Sequence, residues 1–289
     1  MDGERELILA PLRGVTIRTF REVFAPVIAA AGFTEVVTPF IAAVGGYDPL
    51  RDRELKAAPT AAPFAVVPQF IGKDPVALKR ALVAVRGAGW SRADLNCGCP
   101  YPMVRNKGRG AGLLKDADGL RRMLAAGCEA MGPGCFSVKV RLGVERPDEL
   151  SARMAVFNEF PLRRLVVHAR TARQMYSGAC DRAAFAEIVR LAKMPVVYNG
   201  EVSFPPPPGS EPLMIGRAFI RALGEREDIG GLLARYVDAS VGELSGPSPV
   251  LGRMKELIAY WRFSPRWHRR WQVIKLTRTL EEFHAAVRL

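Results

Sequence analysis

The stretch 93–100 contains the residues best suited to chemistry, because a short apolar run there leads into a loop with a thiol, Cys99, at its tip. Pro100 fixes the backbone directly after the thiol, and the glycines of 108–112 allow the chain to turn into the next helix. A thiol held at a rigid strand end in front of a permissive loop suits proton transfer. Most free cysteines are small buried hydrophobic residues, so the residue types alone leave both interpretations open.

Other candidate residues stand where predicted strands end. A strand-end histidine such as His168 is more often structural when taken singly, and Arg217 alone could be a solvated loop charge. In a parallel barrel, however, the C-terminal strand ends form the working face, so the whole set is predicted to converge. The set is Pro11 with Leu12 and Arg13, Gln69, Asn96 with Cys99, Lys139 with Arg141, His168 with Arg170, Asn199 with Gly200 and Glu201, and Gly216 with Arg217.

Short β-rich runs alternate with helical segments over the first two-thirds of the chain. Stretches of helical period such as 76–86 and 116–126 lie between them. The alternation predicts an α/β fold, a (β/α)8 TIM barrel, with a doubly wound open sheet as the competing layout. The predicted strands are 7–12, 34–40, 64–71, 93–97, 136–142, 164–169, 195–199 and 213–216.

The connection between the last two predicted strands departs from this pattern. It contains four consecutive prolines, 205–208, which exclude a crossover helix. An extended polyproline segment rises about 3.1 Å per residue and could span the return. We therefore expect a barrel that lacks a regular helix between strands 7 and 8. From about residue 228 the pattern becomes wholly helical, which predicts a barrel domain over 1–227 and a small helical domain over 228–289.

Positive charge is concentrated near the C-terminus. The formal net charge is +13, and arginine supplies 33 of the 42 basic residues. The window 253–278 holds eight Lys or Arg against one acid, together with three of the four tryptophans. GC-rich codons would raise the arginine content but would not cluster both features. The window therefore favours contact with a polyanion such as RNA, whereas the alternative is that the tryptophans only dock a helix on the barrel.

Several classes of protein are disfavoured by composition. No apolar run is long enough to span a bilayer, and the N-terminus lacks the basic flank and apolar core of a secretory signal, so a cytoplasmic location is expected. Five cysteines without CxxC spacing argue against a disulfide scaffold and against a zinc site. No metal and no obligate protein partner are predicted.

Taken in order, the strand-end motifs resemble those of the tRNA-dihydrouridine synthases, and the resemblance covers nearly the whole chain. The stretch 10–16 resembles the opening flavin loop of that family, and 96–100 resembles its catalytic-cysteine motif. The basic and aromatic stretch that begins at Arg253 resembles the tail of the members that modify U16. The remaining motifs in the series are 139–141, 167–171, 199–201 and 214–217.

The resemblance implies an FMN cofactor at the mouth of the barrel. Arg217 and nearby backbone N–H groups would hold the FMN phosphate. Gln69 would bind the polar edge of the isoalloxazine, and Lys139 with His168 would place positive charge beside its N1/O2 edge. NADPH is implied as the reductant, docking transiently because the chain lacks a GxGxxG motif. The implied cofactor-binding residues are Pro11, Leu12, Arg13, Gln69, Lys139, His168, Asn199, Gly200, Glu201, Gly216 and Arg217.

The implied reaction is the reduction of uridine to 5,6-dihydrouridine in tRNA. The C5=C6 bond of uracil is conjugated to the C4 carbonyl, so hydride from flavin N5 adds to C6 and a proton must reach C5. Cys99 is the candidate acid, because an ordinary thiol with a pKa of about 8.5 is protonated at neutral pH, and Cys97 is the alternative donor. The implied substrate-binding residues are Asn96, Arg141, Arg170 and Arg270.

Two other functions fit parts of the sequence. A catalytically silent relative that binds RNA would keep the basic tail and lose the cofactor. A flavin reductase acting on a small ene-carbonyl compound would keep the cofactor and have no use for the tail. Flavin absorbance of the purified protein distinguishes a flavin enzyme from the silent RNA-binding relative. Activity on tRNA distinguishes a tRNA-modifying enzyme from the reductase of a small ene-carbonyl compound.

Overall fold

Parallel strands form the centre of the molecule. A computed structural model of the protein describes residues 6–57 and 62–288. In these two ranges, ten strand segments make up eight strands, because two strands are each built from two segments. The strands are β1 (Leu7–Leu9), β2 (Glu35–Val37 with Ile41–Ala42), β3 (Ala65–Val67 with Gln69–Ile71), β4 (Ala93–Cys97), β5 (Phe136–Gly143), β6 (Arg164–Thr171), β7 (Val196–Asn199) and β8 (Leu213–Ile215).

The strands close into a barrel. β1 pairs in parallel with β2 on one side and with β8 on the other, and every neighbouring pair in between is also parallel. The breaks in β2 and β3 fall next to Pro39 and Pro68, which lack an N–H for the ladder. Thr38 bridges them, because its N–H donates to the Val67 carbonyl and its hydroxyl accepts from the Gln69 N–H. The predicted (β/α)8 barrel is confirmed, and the open sheet is wrong.

Helices surround this barrel and continue beyond it. Asp74 begins one of them, since its carboxylate accepts from the Val76 N–H at 2.9 Å and Pro75 occupies the first turn. The α-helices of the described residues are α1 (Arg18–Val23), α2 (Ala25–Ala30), α3 (Pro75–Gly87), α4 (Pro102–Arg105), α5 (Ala117–Met131), α6 (Met154–Phe157), α7 (Arg182–Leu191), α8 (Arg217–Leu223), α9 (Ile229–Glu243), α10 (Pro247–Ile258), α11 (Pro265–Ile274) and α12 (Leu280–Arg288).

The connection from β7 to β8 contains no helix, as the four prolines predict; all of its residues are described. An aromatic side chain takes over part of the packing that a helix would provide. Phe204 stacks on Phe33 with ring centroids 5.9 Å apart and meets Phe219 edge-on at 5.2 Å. The barrel wall is therefore covered by apolar surface at this point despite the missing helix.

The C-terminal helices pack directly on the barrel. Tyr236 of α9 meets Phe20 and Phe24, on and just after α1, edge-on at 6.0 and 5.7 Å. The indole N–H groups of Trp261 and Trp267 donate to the carbonyls of Ile220 (2.6 Å) and Gly224 (2.7 Å). These two tryptophans therefore attach the C-terminal helices to α8 and the residue that follows it. The domain boundary at 227/228 stays a prediction.

The barrel interior is layered by the two-residue alternation of the strands. The middle layer is apolar, formed by Ile8, Val37, Val67, Val166 and Val197. Two residues below it on β2 and β6 lie Glu35 and Arg164, each 2% exposed and ion-paired with one another. Arg163 also contacts Glu35, at 2.7 Å. The lower end of the barrel is therefore closed by buried charge pairs.

Glu35→Ala should lower the free energy of unfolding by about 3–5 kcal/mol, because it leaves buried Arg164 without its nearest carboxylate. Urea unfolding followed by circular dichroism measures the change. The matched control is Glu159→Ala, which removes an exposed ion pair with Arg121 and should leave the urea midpoint unchanged. Equal losses in the two variants would contradict the assignment of a structural role to the buried cluster.

Candidate active site

One cavity of about 670 Å³ opens at the C-terminal ends of the strands. It brings together most of the residues that the sequence marks as candidates, from β1 through β8. Four candidates lie outside it, namely the alternative donor Cys97, Arg170, Glu201 and Arg270. The predicted residues that line it are Pro11, Leu12, Arg13, Gln69, Asn96, Cys99, Lys139, Arg141, His168, Asn199, Gly200, Gly216 and Arg217.

Cys99 lies in the wall of this cavity and is 7% exposed. The Asn96 side-chain oxygen fixes its loop by accepting from the N–H groups of Gly98 (3.1 Å) and Cys99 (2.8 Å). Gly110 packs behind the thiol with φ +56°, and a Cβ at that position would come within 2.8 Å of the Cys99 Cβ. By contrast, Cys97 points into the hydrophobic core outside the barrel and does not line the cavity.

A buried carboxylate lies one layer below the thiol loop. Asp94 is 1% exposed and accepts from the Gln69 Nε2 at 2.7 Å. The Gln69 Oε1 in turn accepts from the Asn96 Nδ2 at 2.7 Å. Burial raises the pKa of Asp94 to about 7, against the opposing effects of Gln69 and of the Lys139 charge.

Lys139 is the central cation of the cavity. Its Nζ donates to the Asn199 Oδ1 at 2.9 Å, and the Asn199 Nδ2 donates to the Met214 carbonyl at 2.7 Å. Burial lowers the pKa of Lys139 to about 7; Arg141 adds to this shift and Asp94 opposes it. An anionic group bound beside Lys139 would restore its charge, so this position favours an anionic ligand.

Arg141 serves mainly to hold loops in place. Its Nε donates to the Gly98 carbonyl at 2.9 Å, and its Nη1 donates to the carbonyls of Thr171 (3.0 Å) and Met175 (2.6 Å). Met175 has φ +50°, an uncommon conformation for a residue with a side chain. Tyr176 follows it, with its ring 5.2 Å from the Arg141 guanidinium carbon. Arg141 thus ties the thiol loop to the loop after β6.

Arg170 and Glu201 lie behind the cavity wall. Arg170 is fully buried and donates to the Gly178 carbonyl (2.6 Å) and to the Glu201 carboxylate (2.7 Å). Its Nη1 lies 3.2 Å from the His168 Nε2, which identifies that nitrogen as an acceptor. Burial and the surrounding cations lower the pKa of His168, so the imidazole is neutral. A positive charge on His168 is therefore disfavoured in the ligand-free protein, and its role beside a cofactor stays a prediction.

Arg270 lies away from the barrel mouth. Its guanidinium carbon is 5.4 Å from the centre of the Trp267 ring, on a separate depression between C-terminal helices that Phe283 and His284 also line. The clustering of basic residues in the sequence identifies α11 as a basic helix, but it does not show which face of α11 is turned toward the cavity.

Among the cavity residues that were not predicted from the sequence are Tyr176, Glu256 and Tyr260. Tyr176 comes from the loop after β6, whereas Glu256 and Tyr260 come from α10 and the turn that follows it. Their spacing of four residues puts the last two on one helix face, and this is the signal that could have found them. The C-terminal helices therefore complete one side of the cavity wall.

The described residues offer neither a membrane-spanning helix nor a metal-binding cluster. No helix in 6–57 or 62–288 has the length and apolar character needed to cross a membrane. Within the same ranges, no group of three His, Cys, Asp or Glu side chains is placed to hold a metal ion.

Burial raises the pKa of the Cys99 thiol above its ordinary value, so little thiolate is present at neutral pH. Labelling of Cys99 by iodoacetamide, followed by peptide mass spectrometry, should be slower than labelling of glutathione in the same reaction at pH 8. Its rate should still be rising above pH 9, because the thiolate fraction is still growing. A rate that levels off below pH 8.5 would show that the thiol is activated rather than held as an acid.

The barrel with its strand-end thiol corresponds to a known class of enzyme. Residues 8–206 match the model of the dihydrouridine synthase family, and the chain belongs to that family. It is 33% identical over 231 residues to a probable tRNA-dihydrouridine synthase of Helicobacter pylori, covering 76% of this chain and 68% of that one. These matches confirm the resemblance seen in the sequence and identify the chain as an enzyme of this type.

Members of two named types are among the relatives. A tRNA-dihydrouridine(16) synthase of Pseudomonas putida is 28% identical over 282 residues, covering 91% of this chain and 84% of that one. A tRNA-dihydrouridine synthase B of Xanthomonas axonopodis is 29% identical over 273 residues, with 89% and 78% covered. The resemblance of the C-terminal stretch to the U16-modifying type is consistent with the first match.

Solved structures support the fold. An old yellow enzyme homologue from Zymomonas mobilis superposes with a TM-score of 0.55 at 11% identity, covering 75% of this chain and 85% of that one. Morphinone reductase in complex with tetrahydroNAD gives a TM-score of 0.54 at 11% identity, with 86% and 90% covered. At this level of identity the likeness concerns the barrel architecture alone.

Proposed function

We propose that this enzyme reduces uridine to 5,6-dihydrouridine in tRNA, with FMN as cofactor and NADPH as the reductant. The observation that carries the proposal is the convergence of the Cys99 thiol with Lys139 and Arg217 in one cavity. Membership of the dihydrouridine synthase family supports it. A tRNA substrate entails a cytoplasmic location, which forms part of the same proposal.

The cavity fits FMN by size and by its donors. Its volume of about 670 Å³ lies in the usual range for small-molecule sites. A Cβ on Gly216 would stand 3.1 Å from the Ala10 Cβ, so glycine allows β8 to end close against the loop that contains Pro11, Leu12 and Arg13. The Arg217 guanidinium and the backbone near Gly200 would hold the phosphate.

The remaining residues of the proposed cofactor site act on the ring. FMN, when bound, supplies the hydride for C6 of uracil. Gln69 lies where it would bind the polar edge of the isoalloxazine, and Lys139, held by Asn199, would stabilise negative charge on it. Neutral His168 would accept or donate a single hydrogen bond rather than contribute charge. Glu201 acts at a distance, by pairing with Arg170 behind His168.

Cys99 supplies the proton that C5 of uracil requires. Burial keeps the thiol protonated, and its loop is fixed by Asn96 on one side and packed against Gly110 on the other. Transfer of the thiol proton to C5, together with hydride at C6, saturates the double bond. The resulting thiolate takes a proton back from solvent, which balances the cycle.

Substrate binding must bring a single base to the thiol. Removing a uracil from its stack costs a few kcal/mol, so contacts elsewhere on the tRNA must offset it. Asn96 and Arg141 flank the thiol and are the proposed contacts to the base. Arg170 is a positioning residue that acts through His168, and Arg270 would contact RNA phosphates away from the cavity.

Cys99→Ala should abolish dihydrouridine formation while leaving flavin content unchanged, because the hydride source is intact and the proton donor is lost. Mass spectrometry of nucleosides from tRNA treated with enzyme and NADPH measures the product. Cys97→Ala is the matched control, because Cys97 faces the core, and it should retain activity. Full activity in Cys99→Ala together with loss in Cys97→Ala would reverse the assignment.

The function itself is tested by mapping dihydrouridine in tRNA from cells with and without this gene. We expect purified protein with flavin absorbance, and loss of dihydrouridine at one position of tRNA in the deletion strain. The relatives of the (16) type make position 16 the first to inspect. A colourless protein that binds tRNA would identify an RNA-binding relative. A yellow protein inactive on tRNA that reduces a small ene-carbonyl compound would identify the other alternative.

A further inference from the structure

A chain of buried side-chain hydrogen bonds links a carboxylate deep in the barrel to the loop of the proposed acid. It runs from Asp94 to Gln69 to Asn96, which are 1%, 0% and 8% exposed. The two contacts between these side chains are both 2.7 Å long. Asn96 then accepts from the backbone N–H of Cys99 at 2.8 Å.

The groups at the two ends of this hydrogen-bonded series fix the direction, from donor to acceptor, of every hydrogen bond in it. With its pKa raised to about 7, Asp94 keeps at least one unprotonated oxygen in either charge state, and that oxygen only accepts hydrogen bonds. The backbone N–H of Cys99 only donates. Each amide between them therefore has one orientation that satisfies both neighbours. Gln69 turns its NH₂ group to Asp94 and its oxygen to Asn96, and Asn96 turns its oxygen to the thiol loop.

We propose that Asp94 is a positioning residue that sets the polarity of the Asn96 amide through Gln69, and thereby the position of the Cys99 loop. Because the Asn96 oxygen is occupied by two backbone N–H groups, the amide presents only its remaining N–H to the cavity. That group suits a carbonyl oxygen of uracil. This last point rests on the proposed function; the fixing of the loop does not.

The position of Asp94 argues against a role in stability alone. A carboxylate buried in the barrel loses its hydration, and an apolar residue of similar size usually stabilises a fold as well or better. Lys139 on β5 is the cation that faces it, and no ion pair with Asp94 is formed in the part of the chain that the structure describes. The hydrogen bond to Gln69 is the interaction that an apolar side chain could not replace.

Asp94→Leu removes the acceptor while keeping the number and branching of the side-chain heavy atoms, and Asp94→Asn keeps an oxygen that can accept from Gln69. Oxidation of the prereduced, FMN-saturated enzyme by tRNA should slow about 10- to 100-fold in Asp94→Leu, because a small displacement of the thiol loop is costly. It should slow only a few-fold in Asp94→Asn. Reduction by NADPH should change less than about twofold in both, since it does not use the thiol.

The matched control is Ser137→Ala, at the buried position that pairs in register with Asp94 on the neighbouring strand. It should leave both half-reactions unchanged. If Asp94→Leu behaves like Ser137→Ala, or slows both half-reactions equally, the proposal is overturned.

A polarity swap tests the same idea without changing volume. Gln69→Glu places two carboxylates at the 2.7 Å contact, and tRNA-dependent oxidation should fall at least about tenfold. Adding Asp94→Asn supplies a donor to the new carboxylate and leaves the Asn96 orientation intact. The double variant should therefore be faster than Gln69→Glu alone, whereas independent damage would make it slower. A slower double variant overturns the proposal.

Labelling of Cys99 by iodoacetamide gives a readout that needs neither flavin nor tRNA. Asp94→Leu should raise the labelling rate at least about threefold at fixed pH, because the loop opens more often, and Ser137→Ala should not. If the wild-type protein holds no flavin and forms no dihydrouridine, the proposed function fails. The labelling result still decides the role of Asp94, and an unchanged rate in Asp94→Leu counts against it.

Discussion

Closure of the barrel is the constraint on which the rest of the structure depends. Because β1 is hydrogen-bonded to both β2 and β8, all eight strands run the same way around one axis, and their C-terminal ends meet at one opening. Residues as far apart in the chain as Pro11 and Arg217 become neighbours for that reason alone. The two-residue alternation then decides which side chains face inward, so Asn96 enters the cavity while Cys97 is excluded from it.

Charge is distributed unevenly along the barrel axis. At the lower end, Glu35 and Arg164 neutralise each other within the fold. At the upper end, Lys139, Arg141 and Arg217 surround the cavity, and burial lowers the pKa of each of them. The lower charges stabilise the protein by pairing internally. Among the described residues, none of these three upper side chains forms an ion pair, so the upper end favours an anionic ligand.

Much of this architecture could be predicted from the sequence, because strand periodicity and proline chemistry are local properties. The strand positions, the missing helix before β8 and the thiol loop follow from them. The depth of a side chain is not local. Arg170 ends a predicted strand like its neighbours, yet it is buried behind the cavity wall and pairs with Glu201. Burial, and then nearby cations such as Lys139 and Arg141 on β5, lower the pKa of His168. The contribution of Tyr260 depends on how the C-terminal helices dock.

The docking of that tail has a consequence for how such enzymes diversify. Trp261 and Trp267 anchor the C-terminal helices to the backbone around α8. The same helices place Glu256 and Tyr260 in the wall of the cavity. Exchanging the C-terminal helices between relatives would therefore change the cavity wall along with the outer surface. The outer surface of the C-terminal helices and the shape of the cavity wall therefore change together.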